Sequence, residues 1–144
     1  MSSGDSSRGS GAYVLDSHAV MAYTQAEPGG PRVRDLVRCA QRGEVALHIS
    51  VVNVTEVFYL VWRRQSPLAA RRAVDGLPQL AILVHEAALD DCLAAGALKA
   101  QYPVSLGDAF AAALAIRLDA TLLTGDPEFK RLKDVVRIEW LPRR

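Results

Sequence analysis

Short apolar runs alternate with helix-patterned segments along nearly the whole chain, and this alternation limits what the chain can fold into. The runs cover residues 12–15, 45–49, 80–84, 121–123 and 135–138. Each is too short for a helix and is bounded by turn or capping residues, as strands are. Between them, apolar residues recur at helical spacing. Helices are expected over residues 17–24, 32–42, 51–64, 67–75, 86–101 and 105–118, with one or two further turns over 128–132. Strands and helices in succession predict an α/β fold: three layers, α/β/α, around a short and mainly parallel central sheet. No internal repeat and no linker follow residue 11.

The ends of these segments carry their own signals. Asp16, or Ser17, can cap the helix that follows the first run, and Ser50 can cap the helix after the second. Pro67 suits the first turn of a helix. Ser105 and Asp108 stand at capping-box spacing, with Asp in the usual Glu position. Asp126-Pro127 pairs an N-cap residue with a helix-starting proline.

Half of the 144 residues are hydrophobic. A chain of that length buries roughly 68% of its unfolded surface and needs no disulfide to fold. Residues 12–144 are therefore expected to form one domain, preceded by a disordered Ser/Gly-rich tail over residues 1–11. Cys39 and Cys92 fit buried free thiols in a reducing, cytoplasmic setting. No Cys/His cluster suggests zinc. No apolar run reaches the ~18 residues needed to cross a bilayer, so no membrane partner is expected. The formal net charge of +1 excludes a polybasic protein. It does not exclude nucleic acid, because partner choice follows local patches.

Four acids stand out. Ligand sites in open parallel sheets form outside the carboxyl ends of the strands. Asp16 directly follows the first run, and Asp126 follows the fourth after Thr124-Gly125. Asp108 opens one helix, and Glu56 lies two turns into another. Asp16, Asp108 and Asp126 each have a simpler explanation as helix caps. Glu56 has none: Val52, Val54, Val57, Phe58, Leu60 and Val61 make its helix apolar almost all round, and such a helix is expected to be buried. A buried glutamate needs a partner, a proton or a metal.

If the four converge, they must take up protons or bind a cation. Two carboxylates ~4 Å apart repel by ~4 kcal/mol at an effective dielectric of 20. An all-oxygen donor set suits Mg²⁺ or Mn²⁺. Such a cation neutralises phosphoryl charge and makes a water acidic enough to attack, which is the chemistry of phosphodiester hydrolysis. No Walker motif, GxGxxG or Ser-His-Asp pattern offers a competing reading. His48 and His85 are read as incidental, and His18 only as a possible support for Asp16. Basic groups must flank an acidic site that receives a polyanion. Lys130 and Arg131 are the favoured candidates because they follow Asp126 closely; Arg32, Arg34 and Arg38, or Arg63, Arg64, Arg71 and Arg72, are the others. The apolar helical stretches 57–62 and 89–98 exceed what one core can hide, and any surplus would mark a protein interface.

The acidic segments also resemble a known family. Tyr13-Val14-Leu15-Asp16-Ser17 is similar to the opening strand and first acid of PIN-domain proteins. Asn53-Val54-Thr55-Glu56-Val57 resembles their second motif. The run from Ser105 to Ala115, with Asp108 opening an alanine-rich helix, resembles the third, and Leu122 to Phe129, with Asp126, the fourth. The four occur in the right order and spacing across about residues 12–140. The small size looks most like the toxin ribonucleases of VapC type. This resemblance implies a PIN fold, Mg²⁺ or Mn²⁺ held by Asp16, Glu56, Asp108 and Asp126, and cleavage of RNA. It also implies a homodimer and a cognate antitoxin. Ser17, Asn53 and Thr124 would support the metal ligands. A PIN nuclease of RNA processing, or a non-catalytic PIN-like binding module, is the alternative. One departure stands: the family often has Asp or Asn close to the fourth acid, where this chain has Pro127 and Glu128. Glu128 serves equally well as a solvated acid on a helix dipole.

Overall fold

The computed structural model describes residues 11–143. Five strands form one sheet in the order β3-β2-β1-β4-β5, with every neighbouring pair parallel. They are β1 (Ala12–Leu15), β2 (Ala46–Ser50), β3 (Ile82–His85), β4 (Thr121–Thr124) and β5 (Ile138–Trp140). The helices are α1 (Ser17–Thr24), α2 (Gly30–Gln41), α3 (Val51–Arg64), α4 (Pro67–Asp75), α5 (Leu89–Gln101) and α6 (Leu106–Leu118). The expected sheet is thus wholly parallel.

Alternate side chains of each strand enter opposite layers, as the period of two requires. Tyr13, Leu15, Leu47, Ile49 and Leu123 pack beneath α1–α4. Val14 and Leu122 face the other way, against α6, Ala95 of α5 and the 3₁₀ turn Pro127–Leu132. Both faces of the central strands are therefore covered, which is why these strands read as unbroken apolar runs.

Capping fixes the entry to most helices. Asp16 accepts from Ala19 N, Ser50 from Val52 N, Ser66 from Ala69 N and Ser105 from Asp108 N. Because all strands run the same way, each strand-to-helix turn lies at the carboxyl rim. The chain passes from β1 to β2 on one side and returns to β4 on the other, so the switch point of the sheet lies between β1 and β4.

The structure corrects several expectations. The third strand begins at Ile82 rather than residue 80, because Pro78–Leu80 form a 3₁₀ turn that ends with Ala81 at φ 58°. The last strand is Ile138–Trp140 rather than 135–138. The N–H groups of Val135 and Val136 are spent on the Leu132 carbonyl, closing the preceding turn. The helix expected from residue 86 starts at Leu89, where Ala88 N donates to Asp91. Both cysteines are free, but neither is buried as expected: Cys39 is half-buried and Cys92 exposed. α3 is not apolar-buried all round, since Tyr59 and Trp62 are 41% and 48% exposed. The expected tail over residues 1–11 lies outside the described residues, except Gly11, whose carbonyl accepts from Ala46 N. Among the described residues no helix is long and apolar enough to cross a membrane.

Candidate active site

β1 delivers Asp16 into the rim, almost wholly buried at 1% exposure. One carboxylate oxygen accepts from Ala19 N at 2.8 Å and the other from the Thr124 hydroxyl at 2.5 Å. Thr124, the last residue of β4, accepts in turn from Asp126 N at 3.0 Å. One buried hydroxyl therefore links the tips of both switch-point strands and spaces two of the four acids. Ser17 is buried at the first position of α1. Asp126 caps the turn after β4, accepting from Glu128 N at 2.9 Å, and its other oxygen is 3.5 Å from His18 Nε2.

Asp108 enters the same neighbourhood from the first turn of α6, with its N–H donated to Ser105 Oγ. Burial pushes its carboxyl up to about 7, helped by the negative charge of Asp126, Asp16 and Glu56 and opposed by the hydrogen bond with Ser105. Burial likewise raises Asp16 to about 6. The charge of His18 and the hydrogen bonds from Thr124 and Ala19 oppose the rise, and Asp126 adds to it. Raised carboxyl pKa values from burial and like charge are the character expected of proton carriers and of cation ligands without their counter-charge.

Glu56 is half-buried on α3 rather than sealed in the core as expected. Its Oε1 accepts from Asn53 Nδ2 at 2.9 Å, and the same nitrogen donates to the Gly107 carbonyl at 3.1 Å. Asn53, one turn earlier, thus ties α3 to the start of α6 and aims Glu56 beside Asp108. A Cβ at Gly107 would overlap the Glu56 carboxylate, so a larger residue there must push the end of that side chain aside. Nothing local in the sequence marks Gly107. The only signal is its place immediately before an acid that opens a helix.

The donor set fits a hard divalent cation in its chemistry: four carboxylates, a threonine hydroxyl and an asparagine, with no thiolate. Asn53 Oδ1 is buried and has no partner, so the site retains one unmet acceptor. The fit does not extend to finished coordination. Among the described residues, no group of three or more His, Cys, Asp or Glu side chains is arranged so that it could hold a metal ion. Asp108 senses the charge of all three other acids, yet the carboxylates do not close round one point.

The expected basic flank is only partly free. Lys130 is exposed on the turn after Asp126. Arg131 instead donates to the Pro103 carbonyl at 2.8 Å and approaches Glu128 at 3.4 Å, bracing the loop before α6. Arg32 is held bidentately by Glu139. His48 and His85 approach each other at 2.8 Å across β2 and β3, and burial lowers the pKa of both.

The fold matches a VapBC2 structure from Rickettsia felis bound to a promoter DNA fragment, at TM-score 0.69 and 19% identity, over 91% of this chain and 99% of that one. It matches VapBC-1 from nontypeable Haemophilus influenzae at TM-score 0.64 and 23% identity, over 90% and 97% of the two chains. It also matches VapC20 of Mycobacterium tuberculosis, described as a Sarcin-Ricin loop cleaving toxin, at TM-score 0.66 and 16% identity, over 82% and 92%. At such identities these likenesses establish the fold alone. No curated protein sequence matches. The PIN domain family model, however, matches residues 13–135, a span that holds all four acids and the carboxyl ends of both switch-point strands. The chain belongs to the PIN domain family.

Proposed function

We propose that this protein is a Mg²⁺- or Mn²⁺-dependent endoribonuclease, the toxin of a type II toxin–antitoxin pair. The observation that carries the reading is the pair of buried acids, Asp16 and Asp108, raised to about 6 and 7 beside Asp126 at the sheet's switch point. Structural carboxylates normally gain hydrogen bonds or cations that lower their pKa. A cluster that raises it is costly to the fold and is explained by a functional cation or proton. Support for the substrate and partner classes comes from the fold's likeness to VapBC complexes and to a toxin described as cleaving the Sarcin-Ricin loop.

In this reading Asp16, Glu56, Asp108 and Asp126 hold the cation, directly or through water. When bound, it supplies phosphoryl charge neutralisation and a water acidic enough to attack near neutral pH. The chain's own residues do the rest. Thr124 fixes the Asp16 carboxylate and sets its distance from Asp126. Asn53 orients Glu56 against Gly107. His18 faces Asp126 at the rim, 3.5 Å away, where its ring can meet a phosphate oxygen. Ser105 supports Asp108. A homodimer and an antitoxin interface are assigned to the apolar surface left by Tyr59, Trp62, Leu68, Leu89 and Leu93, all exposed. Light scattering that finds only monomer at high concentration removes the dimer from this assignment.

The test is cleavage of a labelled RNA with and without EDTA. Wild-type protein should cut, lose activity in EDTA and recover it with Mn²⁺. Asp16→Asn should be folded and inactive. EDTA-resistant cleavage by Asp16→Asn sinks the proposal. One observation favours the second reading, a non-catalytic PIN-like module: the described acids do not close into a coordination sphere. Calorimetry separates the two, since a module would show no Mn²⁺ binding.

A further inference from the structure

Beside the acids lies a cleft that the metal chemistry does not use. Its volume is about 270 Å³, just below the usual range for clefts that take a whole small ligand and room for part of one. One wall is α1, through His18 and Ala22. The opposite walls are the loop at Pro28-Gly29, the end of α3 at Arg64, and the C-terminal segment Leu141–Arg143. The cleft opens beside the switch point: Gly125, next to Asp126, lines it, and His18 both lines it and approaches Asp126 at 3.5 Å.

We propose that this cleft seats one nucleotide unit of the substrate strand adjoining the bond that is cut, with Arg64 and Arg143 on its phosphate. The inference rests on the ribonuclease reading above. Three lines of chemistry point to such an occupant. First, the lining combines two guanidinium groups and an imidazole with one carboxylate, Glu27. Glu27 meets Arg64 only at 3.6 Å, with both side chains about half exposed, a weak pairing that a phosphate can displace. Guanidinium groups bind phosphate oxygens in a forked geometry. Second, Pro28 and Pro142, exposed over buried Ala22 and Leu141, supply an apolar surface for a sugar or base. Third, the cleft is built into the fold. A Cβ at Gly30 would lie 2.7 Å from the Ala22 carbonyl, and one at Gly29 would lie 3.0 Å from Leu141 Cβ. The two glycines let the loop sit close against α1 and the C-terminal segment, which fixes the cleft floor. Arg143 Cγ lies 3.5 Å from the Cβ position of Gly125, so its stem covers the turn that leads to Asp126.

An acidic centre repels a polyanion, so the strand needs cations on its approach. Of the two basic residues favoured after Asp126, Arg131 is already committed to Pro103 and Glu128, which leaves Lys130 alone there. The cleft is therefore the better-provided approach, and its arginines come from residues 64 and 143, far apart in the chain.

The experiment is fluorescence anisotropy with a fluorescein-labelled single-stranded RNA of mixed sequence, across a salt series. It is run in an Asp16→Asn background so that the RNA stays intact. Arg64→Ala with Arg143→Ala should weaken binding tenfold or more. The dependence of log affinity on log salt should flatten by about 0.7 for each phosphate that the variant no longer neutralises. Arg143→Lys should keep the salt slope while losing affinity. Melting curves should match the parent, because both arginines are exposed, and Mn²⁺ calorimetry of the double variant made with Asp16 intact should match that of wild type. Unchanged affinity and slope, with wild-type protein still cutting RNA, overturn the cleft assignment alone. A wild-type chain that neither binds nor cuts RNA overturns the ribonuclease reading and this inference with it.

Discussion

α5 and α6 look alike in the sequence and differ in almost everything the fold makes of them. Each has 13 residues, is rich in alanine and carries acid in its first turn. α5 lies on the outside and buries only Ala95. α6 crosses the middle of the sheet and buries an unbroken run from Gly107 to Ala115. Small side chains serve opposite ends in the two. In α6 they let the helix approach β1, β2 and β4 closely. In α5 all of them but Ala95 face water, with Leu89 and Leu93 left exposed beside them. The acids diverge in the same way. Asp91 of α5 accepts from Ala88 N at 3.0 Å and pairs with Arg117 at 3.0 Å. Asp108 of α6 is buried among like charges. Composition specified the helices; position within the layers put the acid of one of them at the candidate site.

That contrast can be broken at its strongest point first. Asp108→Asn should lower RNA cleavage by at least about a hundredfold, in the range seen when a positioned charge-stabilising group is lost. Asp91→Asn should leave the rate unchanged and cost only about 0.5–1 kcal/mol of stability. Equal activity loss in both would mean that α6 acts through packing rather than chemistry.

A smaller effect concerns pH. In metal-free protein, Asp16 and Asp108 titrate near 6 and 7 when folded, against an ordinary 3.8 when unfolded. Folded-state values raised in this way favour the native state at low pH. The benefit is complete below about pH 4 and is lost as pH rises through 6 to 7. Denaturant melts in EDTA should lose on the order of 2–4 kcal/mol between pH 4 and 8 from these groups. The loss should shrink in Asp108→Asn and persist in Asp91→Asn. Saturating Mn²⁺ should restore stability at the upper end of the window. A profile identical in wild type and Asp108→Asn would contradict the burial of that charge.

The mildest contrast uses the one glycine in each helix. Gly107→Ala should displace the Glu56 carboxylate, which any Cβ there would meet, and break its hydrogen bond with Asn53, destabilising by about 0.5–1.5 kcal/mol. Gly96→Ala has nothing within 4 Å and should stabilise by about 0.5–1 kcal/mol through helix propensity alone. Thermal melts of the two variants should therefore move in opposite directions. A shared direction would show that the tight approach of Glu56 to α6 is not rigid.

Much of this protein was decided locally and could be read from its sequence. Asp16, Ser50, Ser105 and Asp126 cap the elements they precede, because a short polar side chain bonds a backbone N–H two or three residues on whatever the rest of the chain does. The strand–helix succession follows from side-chain period, and the parallel sheet follows from the succession. Tertiary structure decided the rest. The start of β5 depends on where the turn before it spends its N–H groups. The half-exposure of Glu56 depends on which face of α3 meets the sheet. The bond from Asn53 to Gly107 joins residues 54 apart, and the cleft draws on residues 18, 64 and 143. Capping and periodicity are energies of neighbours along the chain and leave a trace in the sequence. Burial, like-charge crowding and cleft shape are energies of neighbours in space, and they exist only once the layers have packed.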